Sequence, residues 1–281
     1  MPATGLAPSS GQQPPAPQPA WGPLPAEDCY ATAKKMAWFR TRLDAQRRRL
    51  GRPLAILDFG CGSAAHAGRY LMNDIDHYTG IDIHEPSLGY ARAHFAGPRA
   101  RFEAEIPEGE RFDIIIACEV LEHLDHPDAV LGGLVARHLR PEGRVIGSVP
   151  NGYGLTEIEK KIDQTLGLYR GLRWLVRLAR RIRGAGDPAR AAAIPYNYES
   201  GHVQFYTSGQ LRRVAQAAGL DLAGLVNGTL MGADLSGSTI LRPGAMIRAN
   251  VRIADWLPNW AAATWFFEMR RPGDDADPLR R

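Results

Sequence analysis

Cysteine is scarce in this chain. Three residues, Cys29, Cys61 and Cys118, are scattered over 281 without a C-x-x-C pair, which argues against a disulfide framework or a zinc ribbon and suits a reducing compartment. Long apolar runs are missing too, and the first residues lack the basic start and apolar stretch of a secretory leader, so the expected location is cytoplasmic. Nor does one sign of charge dominate. The 34 Lys and Arg against 30 Asp and Glu leave +4, too mild to imply nucleic acid without a local cluster. Hydrophobic residues make up 44% of the chain, enough to bury one full core with a tail and an insertion.

Residues 1–26 are rich in Pro, Gly, Gln, Ser and Ala and poor in large apolar side chains, which predicts a disordered tail, since ordering it would bury too little. Residues 27–50 carry a helical pattern, with Tyr30, Met36, Trp38, Phe39 and Leu43 apolar and Arg47, Arg48 and Arg49 at the end that favours cations. Short apolar runs and helical patterns then alternate: strands are predicted over 54–58, 77–83, 100–103, 112–118 and 144–149, with helices over 65–72, 86–95 and 127–139 between them. Such alternation predicts an α/β, Rossmann-like, mostly parallel sheet with helices on both faces and ligands at the carboxyl ends of its strands. Thr207 opens a helix that a glycine ends at Gly219, and strands are predicted over 220–226 and 261–269, for seven in all. The chain thus divides into the tail 1–26, a ligand-binding core 27–150, a helical insertion 151–200 after the fifth strand, and the completion of the sheet 201–281.

The apolar run Ile56-Leu57 ends on Asp58 and breaks into Gly60-Cys61-Gly62. Paired glycines permit φ > 0 and close approach of backbone to a ligand, while Ala65 stands where the dinucleotide fingerprint has its third glycine. A carboxylate at Asp58 repels a pyrophosphate but suits a ligand with an ammonium and a sulfonium, the charge pattern of S-adenosylmethionine. Asp82, twenty residues after Gly62, is placed to accept both hydroxyls of a ribose, and Ile83 follows it at the pocket edge. Either Glu103 or Glu105 is placed near the adenine. A nicotinamide cofactor shares the ribose geometry, and a chain that keeps the fold only for binding is the other alternative.

Four stretches in order carry a resemblance: Asp58-Phe59-Gly60-Cys61-Gly62, Thr79-Gly80-Ile81-Asp82, Phe112-Asp113-Ile114-Ile115 leading to Glu119-Val120-Leu121-Glu122-His123-Leu124, and Leu139-Arg140-Pro141-Glu142-Gly143-Arg144. Together they resemble the motifs of class I S-adenosylmethionine-dependent methyltransferases. The resemblance implies that Gly60 and Gly62 approach the methionine part of the cofactor, that Asp58 lies near its amino group, that Asp82 binds the ribose, and that Cys61 and Cys118 line the pocket. The set Glu119, Glu122 and His123 with the distant His202 is similar to the Glu-x-x-Glu-His plus His group of small-RNA terminal methyltransferases and ubiquinone-pathway O-methyltransferases. That likeness implies Mg²⁺, Mn²⁺ or Zn²⁺ orienting an acceptor hydroxyl. The spacing of the two glutamates and His123 reads as one helical turn on which the side chains converge. Without a metal, His123 or His202 would act as general base.

In the insertion, residues 168–183 set Leu168, Leu172, Leu175, Ala179 and Ile182 on one helical face and Arg170, Arg173, Arg177, Arg180 and Arg181 on the other. A basic amphipathic helix is either a solvated lid, a grip on a phosphate-bearing acceptor, or a peripheral contact with an anionic membrane. The function these readings converge on is O-methylation of a small metabolite, a sugar or a lipid-linked glycan, with transfer to nitrogen or carbon as the alternative and nucleic acid the weaker partner.

Overall fold

The structure, a computed structural model, describes residues 18–167, 171, 174, 194–195, 197, 203–232, 236–237 and 239–274. Seven strands form one sheet in the order β3-β2-β1-β4-β5-β7-β6, with β1 Ala55–Phe59, β2 His77–Ile81, β3 Ala100–Glu103, β4 Phe112–Cys118, β5 Leu139–Pro150, β6 Asp221–Asn227 and β7 Thr264–Arg270. The first five strands run parallel, and β7 lies antiparallel between β5 and β6. The strand order reverses between β1 and β4, so their outgoing loops part and leave a crevice at the carboxyl ends.

The helices are α1 Thr32–Leu50, α2 Gly68–Leu71, α3 Glu85–Phe95, α4 Pro127–His138, α5 Leu155–Leu166, α6 Ser208–Ala217 and α7 Gly244–Trp256. Side chains alternate across the central strands. Ile56, Ile114, Ile116 and Ile146 pack under α1 and α3 with Met36, Phe39, Leu43 and Leu88. Leu57, Ile115 and Val145 point the other way, to Leu131, Val135 and Leu211 of α4 and α6. This two-sided burial is why the parallel strands read as continuous apolar runs.

Several expectations need correction. Residues 18–26 are not part of a disordered tail: Trp21 packs on α1, its Nε1 donating to Asp44 Oδ1 at 3.2 Å, with the Arg40 guanidinium 5.0 Å from its ring centre. One large aromatic supplies the burial that the rest of the tail lacks. The helix predicted over 65–72 shrinks to the single turn of α2, because Ala64 turns into the left-handed region at φ 56°. The stretch 227–258, between the last two predicted strands and predicted to hold no element, contains α7. Apart from residues 171 and 174, the expected basic helix over 168–183 lies outside the described residues, as does the remainder of the tail.

Candidate active site

The turn after β1 is built from backbone donors. Gly60 and Gly62 take φ of 76° and 54°, and the N–H groups of Gly60 and Cys61 both donate to Ile81 O at the end of β2, at 2.8 and 2.9 Å. A side chain on Gly60 would overlap Val120, whereas the space beside Gly62 is open. Asp82 joins the two loops: Gly62 N donates to its Oδ2 at 2.7 Å and His84 N to its Oδ1 at 2.8 Å. Each carboxylate oxygen keeps capacity to accept another bond. Beside it Ile83 is 90% exposed, an apolar surface placed to face a flat base.

Asp58 lies under this turn, 2% exposed, and accepts a hydrogen bond from the Tyr78 hydroxyl. The tyrosine reaches it because Gly68 has no side chain to block the way. Burial pushes the Asp58 carboxyl up to about 6, the Tyr78 bond opposing and the charge of Asp82 adding. Its influence on an ammonium therefore passes through its field and through the turn above it. Burial, with the charges of Asp58 and Asp82, also pushes the half-buried Cys61 thiol far up, so it packs as a neutral group. These residues fit S-adenosylmethionine: glycine backbone for close approach, a buried carboxyl for the ammonium, free acceptor capacity on Asp82 for ribose, and Ile83 for adenine.

A second polar group meets at the ends of β4 and β5. Glu119 follows β4 in the left-handed conformation, φ 56°, and its N–H continues the ladder to Ser148 O at 2.9 Å. The helical turn expected from Glu119 therefore does not form; a short 3-10 turn, Leu121–His123, begins two residues later. Glu119 Oε1 accepts from Lys35 Nζ of α1 at 3.0 Å and from Ser148 Oγ at 2.5 Å. Burial would raise the Glu119 carboxyl, but Lys35 and Ser148 outweigh it and hold the group below its ordinary range. Glu122 is fully buried, and burial together with the charge of Glu119 pushes its carboxyl well up. Cys118, whose Sγ lies 3.3 Å from Ser148 Oγ, is raised to about 11 by burial, with Lys35 opposing.

His123 Nε2 stands 4.0 Å from Glu122 Oε1. His202 lies outside the described residues, although Val203 and Gln204 donate their N–H groups to Glu122 O at 2.9 and 3.0 Å. Tyr206 adds a bond from its hydroxyl to Leu121 O at 3.0 Å. The described donor set does not fit a divalent ion. Glu119 is already engaged by an ammonium, Glu122 is sealed from solvent, and no group of three or more His, Cys, Asp or Glu among the described residues is arranged to hold one. Sequence reasoning missed Lys35, Ser148 and Tyr78. Lys35 carried a signal, since it stands four residues before Phe39 on the buried stripe of α1, where a cation is out of place.

A family model described as a methyltransferase domain matches residues 32–224. The chain is 27% identical over 181 residues to a ubiquinone biosynthesis O-methyltransferase of Aeromonas salmonicida, covering 60% of this chain and 65% of that one. It is 28% identical over 185 residues to a protein of the same description from Aromatoleum aromaticum, covering 61% and 65%. It thus spans a little under two thirds of these relatives' length. Among solved structures, an S-adenosylmethionine-dependent methyltransferase from Mesorhizobium loti superposes with a TM-score of 0.50 at 15% identity, covering 86% of this chain and 98% of the other, a likeness of fold. On the family match and the fold together, this chain belongs to the class I S-adenosylmethionine-dependent methyltransferases.

Proposed function

We infer that the chain transfers the methyl group of S-adenosylmethionine to an oxygen of an acceptor with a large apolar part, a lipid-linked molecule rather than a free sugar or small polar metabolite. The observation that carries this reading is the company of the polar cluster. Beyond Ser148 the chain reaches Asn151, whose Nδ2 donates to Trp260 O and Ala262 O at 2.8 and 2.7 Å. Tyr153, Phe205 and Trp260 stand exposed around this corner of the sheet's carboxyl end. An apolar rim beside a small hydrogen-bonding centre suits an amphipathic acceptor. The descriptions of the two ubiquinone relatives as O-methyltransferases support oxygen as the target.

Bound S-adenosylmethionine supplies an activated methyl carbon whose sulfur leaves as a neutral thioether. The chain's own residues position and exclude water: the Gly60 to Gly62 turn and Asp82 fix the donor, Lys35, Glu119 and Ser148 the acceptor oxygen. His123, half-buried at the edge of the cluster with its Nε2 4.0 Å from Glu122 Oε1, would take the acceptor's proton. Calorimetry with S-adenosylmethionine, followed by incubation of the protein and a methyl-labelled donor with lipid and aqueous extracts, tests the reading by mass spectrometry. The expected product is lipid-soluble and one methyl heavier; label confined to amines in the aqueous fraction would refute it.

The same end of the molecule offers a surface for a bilayer. On α7, Met246, Ile253 and Trp256 are exposed together with Arg248 and Arg252, and Arg242 precedes the helix. These three arginines make no ion pair among the described residues. Exposed tryptophan beside exposed arginine favours an anionic lipid surface, where indole rests at the boundary and guanidinium meets phosphate.

A further inference from the structure

Lys35 comes in from α1, and its ammonium is held by groups from two other elements. Its Nζ lies 3.0 Å from Glu119 Oε1 and 3.4 Å from Ser148 Oγ, and Ser148 Oγ donates to that same Glu119 oxygen. An ammonium has three N–H donors, and these contacts engage two of them, leaving one without a partner among the described residues. Burying a cation this far is unfavourable unless it is paired. The pairing depends on Glu119 adopting φ 56°, a conformation that a glutamate rarely takes and that persists where the surroundings over-determine it. The arrangement also consumes the first carboxylate of the Glu119, Glu122, His123 set, and a divalent ion on that oxygen would sit against the ammonium. We propose that the Lys35 ammonium is the resident cation of the acceptor site: its free N–H binds and orients the acceptor's oxygen, and its charge keeps divalent ions out. Lys35 is thus a binding and positioning residue, and the metal role implied by the resemblance is filled by the chain itself. This rests on the methyl-transfer reading, because only that reading makes the cluster an acceptor site.

The test uses the full chain and Mn²⁺ alone as probe, titrated by calorimetry and electron paramagnetic resonance, with S-adenosylmethionine calorimetry on each preparation reporting folding. Wild type is expected to show no saturable Mn²⁺ site. Lys35→Gln, still binding S-adenosylmethionine, is expected to gain one saturable Mn²⁺ site, and adding Glu119→Gln is expected to remove it. Lys35→Arg, which keeps the charge, is expected to behave as wild type. One Mn²⁺ bound by wild type and lost in Glu119→Gln would overturn the proposal, and so would a folded Lys35→Gln that binds Mn²⁺ no better than wild type. If Lys35→Gln does not fold, Lys35→Met, which keeps the stem and removes the charge, takes its place in the same titration. Failure of wild type to bind S-adenosylmethionine would instead sink the methyl-transfer reading and is read in a separate titration.

Discussion

Asp82 does two jobs with one carboxylate, holding Gly62 and His84 in place and keeping acceptor capacity for a ribose. Asp82→Ala removes both loop bonds and the oxygens proposed to accept from the ribose, and S-adenosylmethionine binding should weaken about 10- to 100-fold by calorimetry. Asp58 acts through pH. Its folded carboxyl titrates at about 6, raised by burial, whereas the unfolded group titrates near its ordinary value of about 4. Protonation therefore favours the folded state: the stabilisation is complete below about pH 4 and is lost as pH rises through about 6, to the extent of ~2–3 kcal/mol. Asp113 works in the opposite sense, held low by Arg52, the Ala55 N–H and Arg140 against the effect of burial. Subtracting the stability of Asp58→Asn cancels that background, so denaturant titrations should show the wild-type excess falling between pH 4 and 7. A difference flat across that range would show that Asp58 is not raised. The place of Asp58 at the end of β1 was legible in the sequence. Its burial was not, because that depends on Tyr78, a residue on another strand, and on the gap left by Gly68.

Among the elements, β3 and β4 were legible to the residue: β4 is a β-branched run opened by Phe112, and β3 is a four-residue segment around Phe102 that follows the Gly97-Pro98 turn. The Thr207 cap was legible for the same local reason: its side chain accepts from Gln210 N while Gln210 returns a bond to the Thr207 N–H. Two features were not. The turn after β4 hides a left-handed glutamate that spacing alone reads as helix, because the conformation is held by a lysine 84 residues away. And α7 escaped notice because its buried side is the narrow set Asn250, Val251 and Ala254, while larger apolar residues face outward. The antiparallel half of the sheet is tied to α1 by charge. Glu268 of β7 pairs with Arg144 of β5 and, at 3.2 Å, with Arg42 of α1. Glu268→Gln would leave the buried Arg144 without its main counter-charge, and unfolding in denaturant should show a loss of about 3 kcal/mol. An unchanged midpoint would mean that solvent or Asp274, 3.7 Å from Arg144, compensates fully.

For the molecule as a whole, the antiparallel placement of β7 decides which surfaces share an end. Thr264 at the start of β7 pairs with Pro150 at the end of β5, so the Asn259–Ala261 turn and Trp260 come to the carboxyl end of the sheet, the end that carries the Gly60–Gly62 turn and the Glu119 cluster. Trp256 and Trp260 are 89% and 74% exposed there, far more than folding alone would leave two indoles. No helix among the described residues is long and apolar enough to cross a membrane, so contact with lipid would be peripheral. Two indoles supply apolar attraction, and Arg242, Arg248 and Arg252 supply about 1 kcal/mol each toward an anionic surface. Together they would act as one weak, salt-sensitive anchor. Wild type should pellet with vesicles containing anionic lipid and much less with neutral ones, and high salt should release it. Replacing both Trp256 and Trp260 by alanine, or Arg248 and Arg252 by glutamate, should reduce pelleting at least about tenfold while leaving S-adenosylmethionine binding intact, since neither pair touches the Asp58 to Asp82 region. Pelleting that ignores lipid charge, or that survives both double substitutions, would remove this face as the lipid contact.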